Sequence, residues 1–279
     1  MALRTLVLLL LLSACAAAPE APSTMARRAP ESAGEAMQAL ADGRYDDAGR
    51  RFGRILAEDP SHREARLGMA EVHLAQGRAR EALPIFDSLV TDPLMRPLAL
   101  QGRGLALLAL GRRAPAAASL AEAAASSTLL WRAWNGLGRI ADAEKRWADA
   151  DAAYARAVAA APRSAMVYAN LGYSLLLRGM PHEAEKALRV ALSLEPGMPA
   201  AVASLRLALA WQGRYLDALS GVRGGELPQV LNDVGYIAFA RGDLETAETY
   251  LLRSLALSPR HLAQADSNLA AVRAARTGR

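Results

Sequence analysis

Small and apolar positions return along this chain with a fixed period, and polar turns fall between them. Gly43, Gly77 and Gly111 stand 34 residues apart, Lys145 fills the next slot, and Gly179 and Gly213 continue the spacing. Five residues after each comes an alanine, at Ala48, Ala82, Ala116, Ala150, Ala184 and Ala218. A last unit, with Gly242 and Ala247, arrives after 29 residues. Such a period is the signature of stacked units that cannot bury an apolar face alone. The glycine suits a left-handed turn that ends a first helix. The alanine suits a second helix packed closely on the first. Pro60, Pro162, Pro196 and Pro259 fall where each second helix should stop, because proline lacks the N–H that would continue it. Pro181 falls in the first turn of a second helix, where that loss costs little.

Composition agrees with helices and disfavours sheets. Alanine makes up 63 of 279 residues, while Phe, Val and Ile are sparse, a balance that favours helices packed through small side chains. The chain reads as all-α. Its formal charge of +5 is spread evenly: residues 16–140 carry 16 basic and 14 acidic groups, and residues 141–279 carry the same. Nucleic-acid binding needs clustered basic residues along a phosphate track, and only Arg273, Arg276 and Arg279 come close, so no nucleic-acid partner is expected.

A search for chemistry returns little. His62, His73, His182 and His261 are dispersed, without HExxH or a second ligand at metal spacing. "GRGLALLALG" has closely spaced glycines but no GK[ST] after them, and no GxSxG elbow exists. Acidic pairs such as Asp46 and Asp47 lie on turns expected to be solvated. No catalytic residue, metal site or cofactor is predicted.

Period and slots together resemble the tetratricopeptide repeat. The fourth unit carries Trp134, Leu137, Gly138, Trp147, Ala150, Tyr154, Ala157 and Pro162; the fifth carries Tyr168, Leu171, Gly172, Gly179, Ala184, Leu188, Ala191 and Pro196. The resemblance covers about residues 29–261, and the turn glycine is position 15 of each repeat. It implies a right-handed α-solenoid of about seven helix pairs over residues 31–261. Residues 262–279 hold a capping helix and tail, since a solenoid must cover its last apolar face. A small eighth position recurs at Ala36, Ala70, Gly104, Gly138, Gly172 and Gly235. Three departures are expected to show: loosened packing at Arg206 in the eighth slot of repeat 6, whose second helix is cut short within "SGVRGGELP"; a kink or shifted start where Pro84 lies beyond the first turn of a second helix; and an alanine-rich, thin interface in repeat 3.

In this family the first helices line a concave groove, faced by positions 2, 5, 9 and 12. The resemblance thus implies a peptide-binding surface at Met166, Ala169, Tyr173 and Leu176, Ala203 and Leu207, and Asn232 and Tyr236. These residues are mostly apolar, with an aromatic edge, and suit an amphipathic helix or extended apolar peptide.

The first residues point to an address. A positive start at Met1 to Arg4, seven apolar residues Leu6 to Leu12, then Ser13 and Ala14 form a signal-peptide layout over residues 1–14. Leu12-Ser13-Ala14-Cys15 resembles the bacterial lipobox, which implies lipidation of Cys15, the only cysteine. Ala16 after that cysteine implies the outer membrane, facing the periplasm, and residues 15–30 read as a lipidated, disordered Ala/Pro-rich tether. With the lipobox, "VYANLGYSLLLRGMPHEAEKALRVALSLEP" and "LNDVGYIAFARGDLETAETYLLRSLALSPRH" resemble the TadD family, lipoproteins of tight-adherence (Flp) pilus assembly. That resemblance implies a non-enzymatic scaffold whose partner is a pilus secretin or another pilus assembly component. An adaptor for periplasmic envelope enzymes, such as peptidoglycan hydrolases or proteases, would carry the same features.

Overall fold

The computed structural model describes residues 32–258 and 263–278, and every regular element among them is helical. Helices follow in antiparallel pairs: α1 (Ala33–Ala41) with α2 (Tyr45–Glu58), α3 (Arg63–Ala75) with α4 (Ala79–Leu89), and α5 (Arg96–Ala109) with α6 (Arg113–Ser126). Next come α7 (Trp131–Ala143) with α8 (Trp147–Ala160), α9 (Ala165–Leu177) with α10 (Pro181–Leu194), and α11 (Pro199–Trp211) with the short α12 (Tyr215–Leu219). A 3₁₀ turn at Gly224–Glu226 leads into α13 (Leu227–Ala240), α14 (Leu244–Leu257) and the closing helix α15 (Ala263–Thr277). Each pair stacks on the next, giving the solenoid of seven helix pairs with a helix at its end. Cys15 and its leader, the tether, Pro259 and His261 lie outside the described residues. No helix among the described residues is long and apolar enough to cross a membrane.

The periodic glycine does what its spacing implies. In repeat 1 the Gly43 N–H donates to the Leu40 carbonyl at 3.1 Å and the Arg44 N–H to Ala39 at 2.9 Å, the paired bonds of a Schellman cap. The same pair of bonds closes the first helices at Gly77, Gly111, Gly179, Gly213 and Gly242, with φ between +71° and +87°. Lys145 adopts φ +57° in the same slot, where a Cβ costs roughly 1–2 kcal/mol.

Packing between pairs turns on one residue of each second helix, at position 24. Phe52, Phe86, Leu120, Tyr154, Leu188 and Leu251 are all essentially fully buried there. Each fits because a glycine faces it. Leu120, Tyr154, Leu188 and Leu251 lie against Gly104, Gly138, Gly172 and Gly235 of their own repeats, where a Cβ would sit 2.5 to 2.8 Å from them. Repeats 1 and 2 have Ala36 and Ala70 in that eighth slot, and their phenylalanines instead press onto Gly68 and Gly102, at position 6 of the following repeat. Leu120 uses both solutions, between Gly104 and Gly136, so the alanine-rich α6 is drawn in close and its large side chain fills the seam.

Repeat 6 departs as its sequence suggests. α12 has 5 residues where α10 and α14 have 14, and the position 24 helix residue is missing. Arg206, in the eighth slot, has its guanidinium 3.4 Å from Glu226. Pro84 lies inside α4, which starts on schedule at Ala79 but runs only 11 residues.

Candidate functional site

The first helices α7, α9, α11 and α13 lie side by side and bring their outward positions onto one face. Met166 at position 2 and Tyr173 and Tyr236 at position 9 are exposed by 49%, 50% and 50%, far more than apolar groups buried in a seam would be. Ala203 is exposed as well, while Leu176 and Leu207 are half-buried, packed against the clusters beneath. Ala169 and Asn232 are buried. The reason is geometric: in repeats 5 and 7 position 5 points into the seam with the next first helix, whereas Ala203 at the same position of repeat 6 stays exposed. The Gln101 side-chain oxygen accepts from the Ala133 N–H at 3.2 Å, Asn135 accepts from Asn170 at 3.0 Å, and Asn232 accepts from Asn268 of α15 at 3.0 Å. α15 therefore docks as the first helix of an eighth repeat would, and covers Asn232.

Two large apolar residues that the four-position rule passes over stand on the same wall. Leu177 and Trp211, at position 13, are exposed at the ends of α9 and α11. Their signal lies in the sequence, since most repeats place alanine at that slot: Ala41, Ala75, Ala109, Ala143 and Ala240.

Beneath Tyr173 a cavity of about 260 Å³ is lined by Arg139, Asp142, Tyr154, Asn170, Tyr173 and Leu177. Asp142 is its floor. The Tyr154 hydroxyl donates to one carboxylate oxygen at 2.7 Å and the Ser174 hydroxyl to the other at 2.6 Å, tying α7 to α8 and α9. Burial, and then the hydrogen bond to Asp142, push the Tyr154 phenol up and keep it a donor. Beside it Arg178 holds Asp151 through two bonds of 2.8 Å. A second junction joins repeats 5 and 6. Partial burial opposes ionisation of Glu185, but hydrogen bonds from Gln212, Arg189 and Arg214 outweigh it and hold the carboxyl at about 2.

These charged groups join neighbouring helices and repeats. Among the described residues no three His, Cys, Asp or Glu side chains gather as a metal would need. His73 is partly withdrawn into α3, where burial and then Arg78 push its pKa down; His62 caps α3 by accepting from the Ala65 N–H. What the face offers is apolar area: a methionine, a leucine and three aromatic rings exposed along the first helices of repeats 5 to 7.

Known proteins share both pattern and shape. A tetratricopeptide-repeat family model matches residues 39–93, and a second matches residues 102–165 and 143–199. No curated protein matches the chain by sequence. Among solved structures, a chain of the APC/C hetero-tetramer Cut9–Hcn1 is 17% identical with a TM-score of 0.58; the alignment covers 87% of this chain and 49%, about half, of that one. PilF of Pseudomonas aeruginosa is 19% identical with a TM-score of 0.56, covering 76% of this chain and 97% of that one. A tetratricopeptide repeat protein from Parabacteroides merdae is 13% identical with a TM-score of 0.51, covering 86% and 96%. At these identities the likeness is one of fold. With its repeats matched over more than half its length and its helices stacked as pairs throughout, this chain belongs to the tetratricopeptide-repeat family.

Proposed function

We propose that this protein is a non-enzymatic scaffold that holds a partner protein in the groove of repeats 5 to 7. It is anchored by lipid on Cys15 to the periplasmic side of the outer membrane. Its task is assembly of a tight-adherence pilus and its secretin. The observation that carries the reading is the exposed strip of Met166, Tyr173 and Tyr236 on a wall where Ala169 and Asn232 are buried. Half-exposed aromatic rings on a rigid helix offer large apolar contact area at little entropic cost, which is what binding hot spots require.

The anchor is supported by the Leu12-Ser13-Ala14-Cys15 stretch and the apolar run before it. One acyl chain binds a bilayer only marginally, but a lipoprotein's several chains, at about 0.8 kcal/mol per buried CH₂, would hold it firmly. The pilus assignment is supported by the two long stretches of repeats 5 and 7 that resemble the TadD family. Cys15→Ser should move the protein out of the membrane fraction; unchanged fractionation would remove the anchor from the account. Tyr173→Ala with Leu207→Glu should abolish partner binding while helix content stays at the wild-type level. Retained binding would place the partner on another face.

A further inference from the structure

The groove has a direction written in charge. Nearly every charged group near it is neutralised within the protein: Arg132 reaches two repeats back to Glu71 at 2.9 Å, Arg178 holds Asp151, and Arg214 holds Glu185. Two are not. Arg139, at position 9 of α7, is exposed beside Tyr173 and makes no ion pair among the described residues. Asp233, at position 6 of repeat 7 in α13, accepts from the Gln229 and Asn232 amides, at 2.9 and 3.2 Å, and makes no ion pair among the described residues.

The placement of Asp233 explains its isolation. At the seam between repeats 4 and 5, position 6 carries Asn170, which donates to Asn135; at the seam before α15, Asn268 donates to Asn232. At the seam between repeats 6 and 7 the matching residues are Ala203 and Asp233, and Ala203 has no amide to offer the carboxylate. Ala203 is exposed, and the seam is open to the groove at that point.

The apolar strip of Met166, Tyr173, Leu177, Trp211 and Tyr236 therefore runs from a free cation in repeat 4 to a free anion in repeat 7. Three steps between neighbouring helix axes, at 8 to 10 Å each, separate those ends by roughly 27 Å. An α-helix spans that distance in about 18 residues. We infer that the groove takes an amphipathic helix of about this length in one orientation, its acidic end over Arg139 and its basic end over Asp233. The inference rests on the groove reading above and specifies the partner's charge order.

Synthetic 18-residue helical peptides with one Leu/Ala face test it on the full chain. Four versions carry Glu at one end and Lys at the other, Glu at both ends, Lys at both ends, or Gln at both ends, and affinity is read by fluorescence anisotropy. Solvent-exposed ion pairs each contribute modestly, so the mixed peptide should bind about fivefold tighter than either single-sign version, with the advantage lost at high salt. A photo-reactive group at its Glu end should label repeat 4. Arg139→Gln with Asp233→Asn should erase the mixed peptide's advantage, and Arg139→Glu with Asp233→Arg should move the label to repeat 7. Equal binding of all four peptides, still lost in Tyr173→Ala, would overturn the charge order and leave the groove standing. Binding that ignores Tyr173→Ala, or no binding at all, would overturn the groove reading itself.

Discussion

Changing Gly102 to alanine tests the packing rule that shapes the array. Phe86 is fully buried, and its ring lies where the Cβ of residue 102 would go, so the new methyl group enters occupied space. Overpacking a rigid core costs typically 1–3 kcal/mol, and about 2 is expected here because the obstacle is a buried ring with no free space to turn into. Phe86→Leu gives the residue pairing of repeat 5, where position 24 is Leu188 and position 6 of the next repeat is Ser204, a residue larger than glycine. Phe86→Leu alone should also destabilise, by about 1 kcal/mol, because it trims a buried side chain. The double variant should be more stable than the sum of the two changes, by about 1 kcal/mol. Urea unfolding followed by helical circular dichroism gives the midpoints for the four proteins of the cycle. Additivity to within about 0.4 kcal/mol would refute the idea that position 24 and the next repeat's position 6 are chosen together.

Other changes have equally definite outcomes. Lys145→Gly should stabilise the protein by about 0.5–1 kcal/mol, since the left-handed strain is relieved and only glycine's extra chain entropy is given back; a lower urea midpoint would contradict the cap assignment. Tyr154→Phe should cost about 2 kcal/mol, because it leaves the buried Asp142 carboxylate one donor short, and a neutral effect in thermal unfolding would show that the network does not hold the pairs together. The carboxyl of Glu185 is depressed on folding, so its contribution is complete above the usual glutamate pKa and fades as pH falls towards about 2. Melting temperature should therefore drop across that window, and the drop should be smaller in Glu185→Gln; identical pH profiles would exclude the junction as a source of acid lability.

Much of the array is legible in the sequence because its period repeats one local solution. The turn glycines, the helix-stopping prolines and the alanine of each second helix are set by backbone geometry, and Lys145 in the glycine slot shows the geometry persisting when the residue changes. Gly68 and Gly102 were less visible. At position 6 they look unmotivated until the phenylalanines of the preceding repeats are seen resting on them. The groove divides in the same way. Positions 2 and 9 project outward at Met166, Tyr173 and Tyr236, while Leu207 at position 9 of repeat 6 is half-buried. Position 5 depends on how far each repeat rotates against the next, a tertiary quantity, and Ala169 and Asn232 turn inward as a result. Asn232 is further covered by α15, which joins Leu269 and Val272 to the cluster of Ala247 and Leu251 and adds an amide pair that periodicity does not announce.

The central claim is that the concave wall of repeats 5 to 7 holds the partner. Photo-crosslinking from position 173, compared with position 190 on the second helix of the same repeat, tests it in intact membranes. Val190 is exposed and apolar too, and so controls for stickiness alone. The account predicts one discrete adduct from position 173, lost in Tyr236→Ala, and none from position 190. The same adduct from position 190, or none from position 173, would contradict it.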